Sequence, residues 1–223
     1  MTTNFDHLTP EKEGVTLNIQ DTLSLDVPND LSDIADSYNE EWDDDSGQAH
    51  EIKNFIELTK DKNCLLDIGG NIGFMSLAFL INNNDEAKKY SYCIEPSKIG
   101  VHTLGRILVH NDKDERLDNV YVYEIFMGDK QGQCEFLIER GSNTLSVTYE
   151  KKDDPRFQIQ THGAPPSYSE MSTVDDFYRY LIDKRRPLPD TIKIDVEGYD
   201  YRVLLGAERY LMIARPLMFL EVH

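Results

Sequence analysis

Residues 65–73 have the sequence LLDIGGNIG, in which an apolar strand leads through Asp67 into a glycine-rich turn and the start of a helix. Glycines have no side chain, so such a turn lets backbone N–H groups approach a ligand closely. A dinucleotide fingerprint G-x-G-x-x-G would need glycines at 69, 71 and 74, where the chain has Gly69, Asn71 and Phe74. The spacing argues against a nicotinamide oxidoreductase and predicts a different polar ligand.

The rest of the chain alternates between strand and helix patterns. Period-two alternation over residues 15–27 predicts a β-hairpin, and residues 133–139 and 144–148 form a second predicted strand pair. Further strands are predicted over 64–68, 90–94, 120–125, 191–196 and 217–222. Helices are predicted over 48–60, 73–81, 97–110 and 199–211, and one more helix is predicted to begin at a cap at Ser172 or Thr173 and to end at about residue 183. An acidic loop is predicted over 40–47 and a long loop over 150–170.

This alternation is typical of an α/β fold with a doubly wound, mostly parallel sheet, here with an N-terminal β-hairpin. We divide the chain into residues 1–47, the hairpin and acidic segment, and residues 48–223, the α/β domain. Ligands of doubly wound sheets bind at the carboxyl ends of the strands. The site is therefore expected there.

The 223 residues carry a formal net charge of −18, and the acidity is concentrated at the N-terminus, where residues 1–60 hold 15 acidic and 3 basic side chains. This negative field repels phosphate backbones, so we predict no nucleic-acid partner. No apolar run is long enough to span a membrane, and the N-terminus lacks the order of a signal peptide. These features predict a cytoplasmic location. Cys64, Cys93 and Cys134 are predicted to be core residues that form no disulfide.

Acidic side chains follow the predicted parallel strands. Glu95 ends the second strand, where a carboxylate can accept two hydrogen bonds from the vicinal hydroxyls of a ribose. Asp67 can hold an ammonium group of the ligand, usually through water, or accept N–H groups of the glycine turn. Asp129, after Gly128, can accept from an adenine amino group or serve as a plain turn residue. The sequence leaves both pairs of alternatives open.

Residues 193–198 have the sequence KIDVEG, in which alternation places Lys193, Asp195 and Glu197 on one side of a strand. Three charges beside apolar neighbours are costly to bury without partners, which favours a role at the cleft. Asp195 can act as a general base toward a substrate hydroxyl, or ligate a divalent metal that acidifies it, and Lys193 can neutralise the acids. The alternative is a structural ion cluster.

Glu221 and His223 alternate onto one side of the next strand. With Asp195 and Glu197 they are candidate ligands for Mg²⁺, Mn²⁺ or Fe²⁺, although a terminal histidine more often has no such role. His162 is a candidate base or a solvated side chain. Tyr168 and Tyr199 are candidates for a substrate pocket or for core packing.

The pattern D-x-G-x-N-x-G at Asp67–Gly73 resembles motif I of class I S-adenosylmethionine (SAM) dependent methyltransferases. Four segments further resemble the FkbM family of these enzymes: LDIGGNIGFMSL (66–77), CIEPS (93–97), MSTVDDF (171–177), and IKIDVEGYDYRVLLGA (192–207) followed by FLEVH (219–223). The specific part is KIDVEG with a downstream L-x-G-A and a closing EVH. The resemblance covers about residues 48–223.

The resemblance implies a Rossmann-like fold and methyl transfer from SAM to oxygen, typically to a hydroxyl of a sugar, polyketide or other small molecule. It implies that SAM lies over Gly69, Gly70, Asn71 and Gly73, with its ribose on Glu95 and its adenine near Gly128 and Asp129. The identity of the base is not implied. A protein acceptor stays open.

Class I methyltransferases usually continue beyond the fifth strand into a helix and an antiparallel strand pair, whereas this chain stops at His223. The fifth strand is therefore expected to be an exposed edge. Either the chain is a fragment, or a partner, a second copy or the N-terminal hairpin covers that edge. The rival function is a non-catalytic SAM-binding module or a truncated methyltransferase domain.

Overall fold

The structure, a computed structural model, describes residues 2–10, 13–20, 23–43, 47–82, 88–141, 144–149 and 167–221. The strands are β1 (Gly14–Gln20), β2 (Leu23–Pro28), β3 (Cys64–Ile68), β4 (Tyr90–Ile94), β5 (Val120–Tyr123), β6 (Phe126–Met127), β7 (Gly132–Gly141), β8 (Thr144–Tyr149), β9 (Ser167–Ser172), β10 (Thr191–Ile194) and β11 (Leu217–Leu220). The helices are α1 (Ser32–Asp43), α2 (Gly47–Leu58), α3 (Phe74–Ile81), α4 (Lys98–His110), α5 (Val174–Asp183), α6 (Asp200–Leu205) and α7 (Glu208–Ala214).

A parallel five-stranded sheet with the order β11-β10-β3-β4-β5 forms the centre of the molecule. Its strands are mostly apolar because each face of the sheet packs against helices, and every residue of β3 and β10 is buried. The order reverses at β3, so the carboxyl ends of β3, β4 and β10 meet beside one another. The predicted α/β fold with a central parallel sheet is confirmed.

One face of this sheet packs against α3 and α4, together with the N-terminal elements. Leu17 and Leu25 of the hairpin and Phe55 of α2 belong to the same core as Leu77 of α3 and Leu104 of α4. The other face packs against α5, α6 and α7 through a core that includes Phe177, Val203 and Tyr210. Residues before the α/β domain thus share its hydrophobic core.

A second sheet has the order β6-β9-β7-β8, and its first strand, β6, follows β5 closely in the chain. The predicted strand pair is present as β7 and β8, which are antiparallel. The last part of the predicted 150–170 loop is instead the strand β9, because Ser167–Met171 pairs with Gly132–Phe136 of β7. Residues 150–166 of that loop, including His162, lie outside the described residues.

Two further predictions need correction. The segment Glu40–Asp43, predicted as the start of an acidic loop, is the last turn of α1. The single helix predicted over 199–211 is two helices, α6 and α7, separated at Gly206. A Cβ atom at Gly206 would lie 2.0 Å from the carbonyl oxygen of Gly128, so the chain approaches the β6 segment too closely there for a side chain.

The predicted N-terminal β-hairpin is present, with β1 and β2 antiparallel. It packs against α4, where the side chain of Asn111 donates to the carbonyl of Asp26 at 2.6 Å. Strand β11 lies at the edge of the main sheet, as predicted, and within the described part of the chain no strand pairs with its outer side. The three cysteines are buried and form no disulfide.

None of the helices in the described ranges is long and apolar enough to cross a membrane.

Candidate active site

Two adjacent clefts open at the carboxyl ends of the central strands. The first cleft is lined by Ile68, Gly69, Asn71, Ile94, Glu95, Pro96, Ile125, Phe126, Met127, Asp195, Val196 and Glu197. The second cleft is lined by Tyr38, Glu51, Ile52, Gly69, Gly70, Asn71, Ile72, Phe74, Met75, Lys193, Asp195, Glu197 and Glu221. The glycine turn and the end of β10 belong to both clefts, so they form the boundary between them.

The glycine turn is held tightly between β4 and β10. The N–H groups of Gly69 and Gly70 both donate to the carbonyl of Ile94, at 3.0 and 3.1 Å. Gly69 has a φ of 77°, and a Cβ atom there would lie 1.7 Å from the carbonyl oxygen of Asp195. A side chain at Gly70 would meet the Sγ atom of Cys93 at 2.3 Å. Both positions therefore require glycine, and the turn has little freedom to move.

Glu95 is the most constrained acid of the first cleft. Its Oε2 accepts from the N–H of Asn71 at 2.9 Å, and its Oε1 accepts from the N–H of Ser97 at 2.7 Å. The side chain is buried, and burial raises its pKa to about 7 in spite of these two hydrogen bonds, which act in the opposite direction. The carboxyl thus joins the glycine turn to the start of α4 and faces the first cleft.

Asn71 lies at the centre of the turn, with a left-handed φ of 49°. Its side-chain Oδ1 atom is buried and has no hydrogen-bond partner, although the residue lines both clefts. A buried acceptor without a donor is costly, because it has lost its hydration. A ligand N–H or O–H group in either cleft would satisfy it.

Asp67 lies beneath the turn and outside the lining of both clefts. Its Oδ2 accepts from the hydroxyl of Ser76 at 2.6 Å, and its Oδ1 has no partner. Complete burial raises its pKa, with the charge of Lys193 acting against that shift. The N–H groups of Gly69 and Gly70 donate to the carbonyl of Ile94 and not to Asp67. The carboxyl contacts α3 through Ser76.

Lys193, Asp195, Glu197 and Glu221 all reach the second cleft. The Nζ atom of Lys193 lies 2.9 Å from Oδ2 of Asp195, and Lys193 is opposite Asp67 in the β10–β3 register. Burial lowers the pKa of Lys193, but the charges of Asp67 and Asp195 outweigh burial, so that the net shift is upward. A protonated lysine therefore lies between the two aspartates.

Glu197 follows β10 in a left-handed conformation, with a φ of 53°. Gly198 continues the left-handed turn with a φ of 85°. A glutamate with positive φ is uncommon, and such strain often accompanies functional turns. The turn directs the chain from the sheet toward α6 and places Glu197 at the boundary of both clefts.

Gly128 and Asp129 are not among the residues that line the two clefts. Asp129 forms an ion pair with Arg202 of α6 at 2.5 Å. Gly128 packs against Met171 and Tyr199, and the ring of Tyr199 meets Phe126 edge to face at 5.0 Å. Tyr168 is exposed on β9. The adjacent residues Phe126 and Met127 line the first cleft in their place.

The candidate metal ligands are only partly described, because His223 lies outside the described residues. In the ranges that the structure describes, no three His, Cys, Asp or Glu side chains are arranged to hold a metal ion. Asp195 and Glu221 line the same cleft, but they do not form such a group on their own.

Sequence reasoning missed two sets of lining residues. The apolar side of the first cleft comes from Pro96 and residues 125–127, whose position depends on the second sheet. The outer wall of the second cleft comes from Tyr38 of α1 and from Glu51 and Ile52 of α2. The helical periodicity of 48–60 was visible, but no local signal shows which face of a helix closes a distant cleft.

Comparison with known proteins gives one family and one structure. A family model described as methyltransferase FkbM domain matches residues 67–223. The crystal structure of a methyltransferase FkbM from Methylobacillus flagellatus KT is similar, with 21% sequence identity and a TM-score of 0.48. The aligned part covers 72% of this chain and 32% of that one, so the chain spans about a third of the length of that protein. No curated protein matches the chain.

Proposed function

The chain belongs to the FkbM methyltransferase family, and from this premise we propose that it is a SAM-dependent methyltransferase that acts on a hydroxyl oxygen of a small molecule or glycan. Its fold supplies the rim of strand ends on which such chemistry depends.

The observation that carries the proposal is the position of Glu95. A buried carboxyl held by two backbone N–H groups keeps a fixed orientation, and each of its oxygens retains a further lone pair. Vicinal hydroxyls of a ribose are donors that match two such oxygens. A nucleoside in the first cleft would therefore hydrogen-bond to Glu95.

The remaining lining of the first cleft suits the base of that nucleoside. Pro96, Ile125 and Phe126 present apolar surface beside Glu95, as expected for a flat aromatic ring. The unpartnered Oδ1 of Asn71 offers an acceptor at the boundary with the second cleft. The charged second cleft would then receive the zwitterionic amino-acid tail. When bound, SAM supplies a methyl group on a positively charged sulfur, which makes that carbon electrophilic.

The acids that follow β10 would bind the acceptor. Asp195 and Glu197 border both clefts, so a hydroxyl placed between the clefts lies beside a carboxylate that can take its proton. Lys193 holds Asp195 in position through their ion pair. Alignment of the hydroxyl with the methyl group makes the larger contribution to the rate of such a transfer, and removal of the hydroxyl proton makes the smaller one. The choice between Asp195 and Glu197 as base is left to experiment.

Titration of S-adenosylhomocysteine into the purified protein by calorimetry tests the proposal. Glu95→Gln should weaken binding roughly 10-fold or more, because a charge-assisted pair of hydrogen bonds becomes a neutral one. Glu208→Gln is the matched control: Glu208 is an exposed acid at the start of α7, away from both clefts, and its variant should bind like the wild type. A folded wild-type protein that does not bind S-adenosylhomocysteine would refute the proposal.

A further inference from the structure

Residues 196–199, which lead from β10 to α6, form a tight turn. The N–H of Tyr199 donates to the carbonyl of Val196 at 3.1 Å and closes the turn. The two central residues, Glu197 and Gly198, both have left-handed backbones, with φ values of 53° and 85°. Positive φ at both central positions is the pattern of a type I′ turn. The turn therefore has a definite shape, and Glu197 occupies its first central position.

A glutamate is an unfavourable residue at that position. Glycine, asparagine and aspartate adopt a left-handed backbone most readily, whereas the Cβ atom of a glutamate crowds the backbone there. The strained conformation places Glu197 at the boundary of the two clefts, since it lines both. Strain of this kind persists only where surrounding contacts hold it. A contact that holds this turn therefore matters to the site.

Asp200 supplies such a contact. It is the first residue of α6, and its Oδ1 atom accepts from the N–H of Val196 at 3.2 Å. The residue is buried, with 8% of its surface exposed. The hydrogen bond spans the whole turn, so Glu197 and Gly198 lie within the loop that it closes. Asp200 itself does not line either cleft.

This hydrogen bond lies where the central sheet stops holding the chain. The N–H of Asp195 still donates to the carbonyl of Ile68 in β3, at 3.1 Å. The next N–H, that of Val196, donates instead to Asp200. Val196 and Glu197 both line the first cleft. The position of that side of the first cleft thus depends on a side chain outside it.

We propose that Asp200 is a positioning residue for the cofactor site, which holds the strained turn and so fixes Val196 and Glu197 beside the bound nucleoside. This inference rests on the proposed methyltransferase function, in which the first cleft binds the nucleoside of SAM. Asp200 acts only through the backbone of the turn. A side chain that keeps an acceptor oxygen at residue 200 should preserve the site, and one without it should let the turn relax.

Calorimetric titration of S-adenosylhomocysteine into Asp200→Ala and Asp200→Asn tests the inference. Asp200→Ala should bind roughly 3- to 10-fold more weakly than the wild type, as expected when one hydrogen bond that holds the site is lost. Asp200→Asn keeps an oxygen that can accept from the N–H of Val196, so its affinity should lie within about twofold of the wild type. This rescue distinguishes the acceptor oxygen from the charge of the carboxylate.

Asp175→Ala is the matched control. Asp175 of α5 likewise accepts from backbone N–H groups, those of Arg209 and Tyr210 at 3.1 and 2.8 Å, but it does not line either cleft. Its variant should lose stability and keep the wild-type affinity for S-adenosylhomocysteine. Equal affinities of the wild type and Asp200→Ala, an equal weakening in Asp175→Ala, or no recovery in Asp200→Asn would each overturn the inference.

Glu197→Asn tests whether Asp200 acts by holding a strained backbone. Asparagine tolerates the left-handed conformation, so the turn of this variant should depend less on Asp200. Urea unfolding should show that Asp200→Ala destabilises the Glu197→Asn protein less than it destabilises the wild type. Equal losses in the two backgrounds would contradict the inference.

These measurements separate the role of Asp200 from the function on which it rests. A folded wild type that does not bind S-adenosylhomocysteine would refute the methyltransferase proposal, and with it a role of Asp200 in the cofactor site. A wild type that binds, together with an Asp200→Ala protein that binds equally well, would refute the role of Asp200 alone. The unfolding measurements need no ligand, so they decide in either case whether Asp200 and Glu197 are coupled.

Discussion

A Cβ atom at Gly69 would lie 1.7 Å from the carbonyl oxygen of Asp195, so the glycine turn and the acidic end of β10 are in direct backbone contact. This contact brings the two most distinctive motifs of the sequence into one site. It also explains why the clefts share a boundary: the turn forms one side of it and Asp195 the other. Any side chain at residue 69 must separate them.

Gly69→Ala should destabilise the protein and weaken binding of S-adenosylhomocysteine. The substitution adds both a left-handed backbone strain, worth about 1–2 kcal/mol, and a clash with backbone, worth about 1–3 kcal/mol. Gly198→Ala is the matched control, because Gly198 also has a positive φ but an added Cβ would have no atom within 4 Å. Urea unfolding should show a clearly larger loss for Gly69→Ala; equal losses would mean that the contact is unimportant.

The raised pKa of Glu95, about 7, predicts two pH dependences of opposite sign. The carboxyl is protonated more readily in the folded protein than in the unfolded chain, whose value is near 4.5. Folding therefore takes up a proton between these values, and the stability of the unliganded protein should fall as the pH rises from about 4.5 to 7, by roughly 3 kcal/mol at most. Thermal unfolding at pH values between about 4.5 and 7 measures this loss of stability.

Binding of S-adenosylhomocysteine should instead strengthen as the pH rises through about 7, since only the carboxylate can accept from both ribose hydroxyls. Calorimetry below and above that pH checks this expectation. The glutamine of Glu95→Gln has no titratable proton. The affinity of this variant for S-adenosylhomocysteine should therefore be lower than that of the wild type and should not increase with pH. An unchanged pH profile in the variant would show that another group is responsible.

Lys193→Met should be among the most destabilising substitutions in the site. It removes the ammonium that lies between Asp67 and Asp195, and leaves a buried carboxylate without its counter-charge, at a cost of about 3–5 kcal/mol. Urea unfolding should show this loss. The double variant Lys193→Met with Asp195→Asn should recover part of it, because the second change removes one of the two acids that face the lost ammonium; full additivity would argue against the ion cluster.

Structural features that depend on neighbouring residues in the chain could be predicted from the sequence, whereas those that depend on contacts between distant residues could not. The strands β3, β4 and β10, and the acids at their ends, were predictable because short apolar runs before polar residues mark buried parallel strands. The N-cap of α5 at Thr173 was also predictable, since its hydroxyl accepts from the N–H of Asp176 in the expected local geometry.

Other features depend on contacts between distant residues. The break between α6 and α7 lies at Gly206, where the chain closely approaches Gly128, and the hydrophobic pattern does not indicate this contact. Asp129 turns toward Arg202, 73 residues later in the chain, and no spacing rule selects that partner. The wall formed by Tyr38 and Glu51 likewise exists only because α1 and α2 fold back onto α3.

Asp195→Asn and Glu197→Gln should separate the two candidate bases. Both variants should retain measurable binding of S-adenosylhomocysteine, because the ribose is held by Glu95 in the proposed arrangement. The variant that lacks the base should lose about 10²–10⁴-fold in kcat with an accepted hydroxyl substrate, whereas the other should mainly change KM. Release of S-adenosylhomocysteine measures the rate. If neither variant changes kcat, catalysis depends on alignment alone; if the wild type binds S-adenosylhomocysteine but never turns over, the protein is a binding module.

Tyr38→Ala should loosen the wall of the second cleft without affecting the first. The stacked ring on Phe74 is the contact by which α1 is held against the residue after the glycine turn, so its removal should cost about 1–3 kcal/mol of stability from lost ring contact and packing. Tyr38→Phe keeps the ring and is the matched control. In the proposed arrangement the second cleft receives the amino-acid tail of the ligand, and Tyr38 lines that cleft, so S-adenosylhomocysteine should bind more weakly to Tyr38→Ala and as tightly as wild type to Tyr38→Phe. A Tyr38→Ala protein that keeps both its stability and its affinity for S-adenosylhomocysteine would show that α1 does not support the wall.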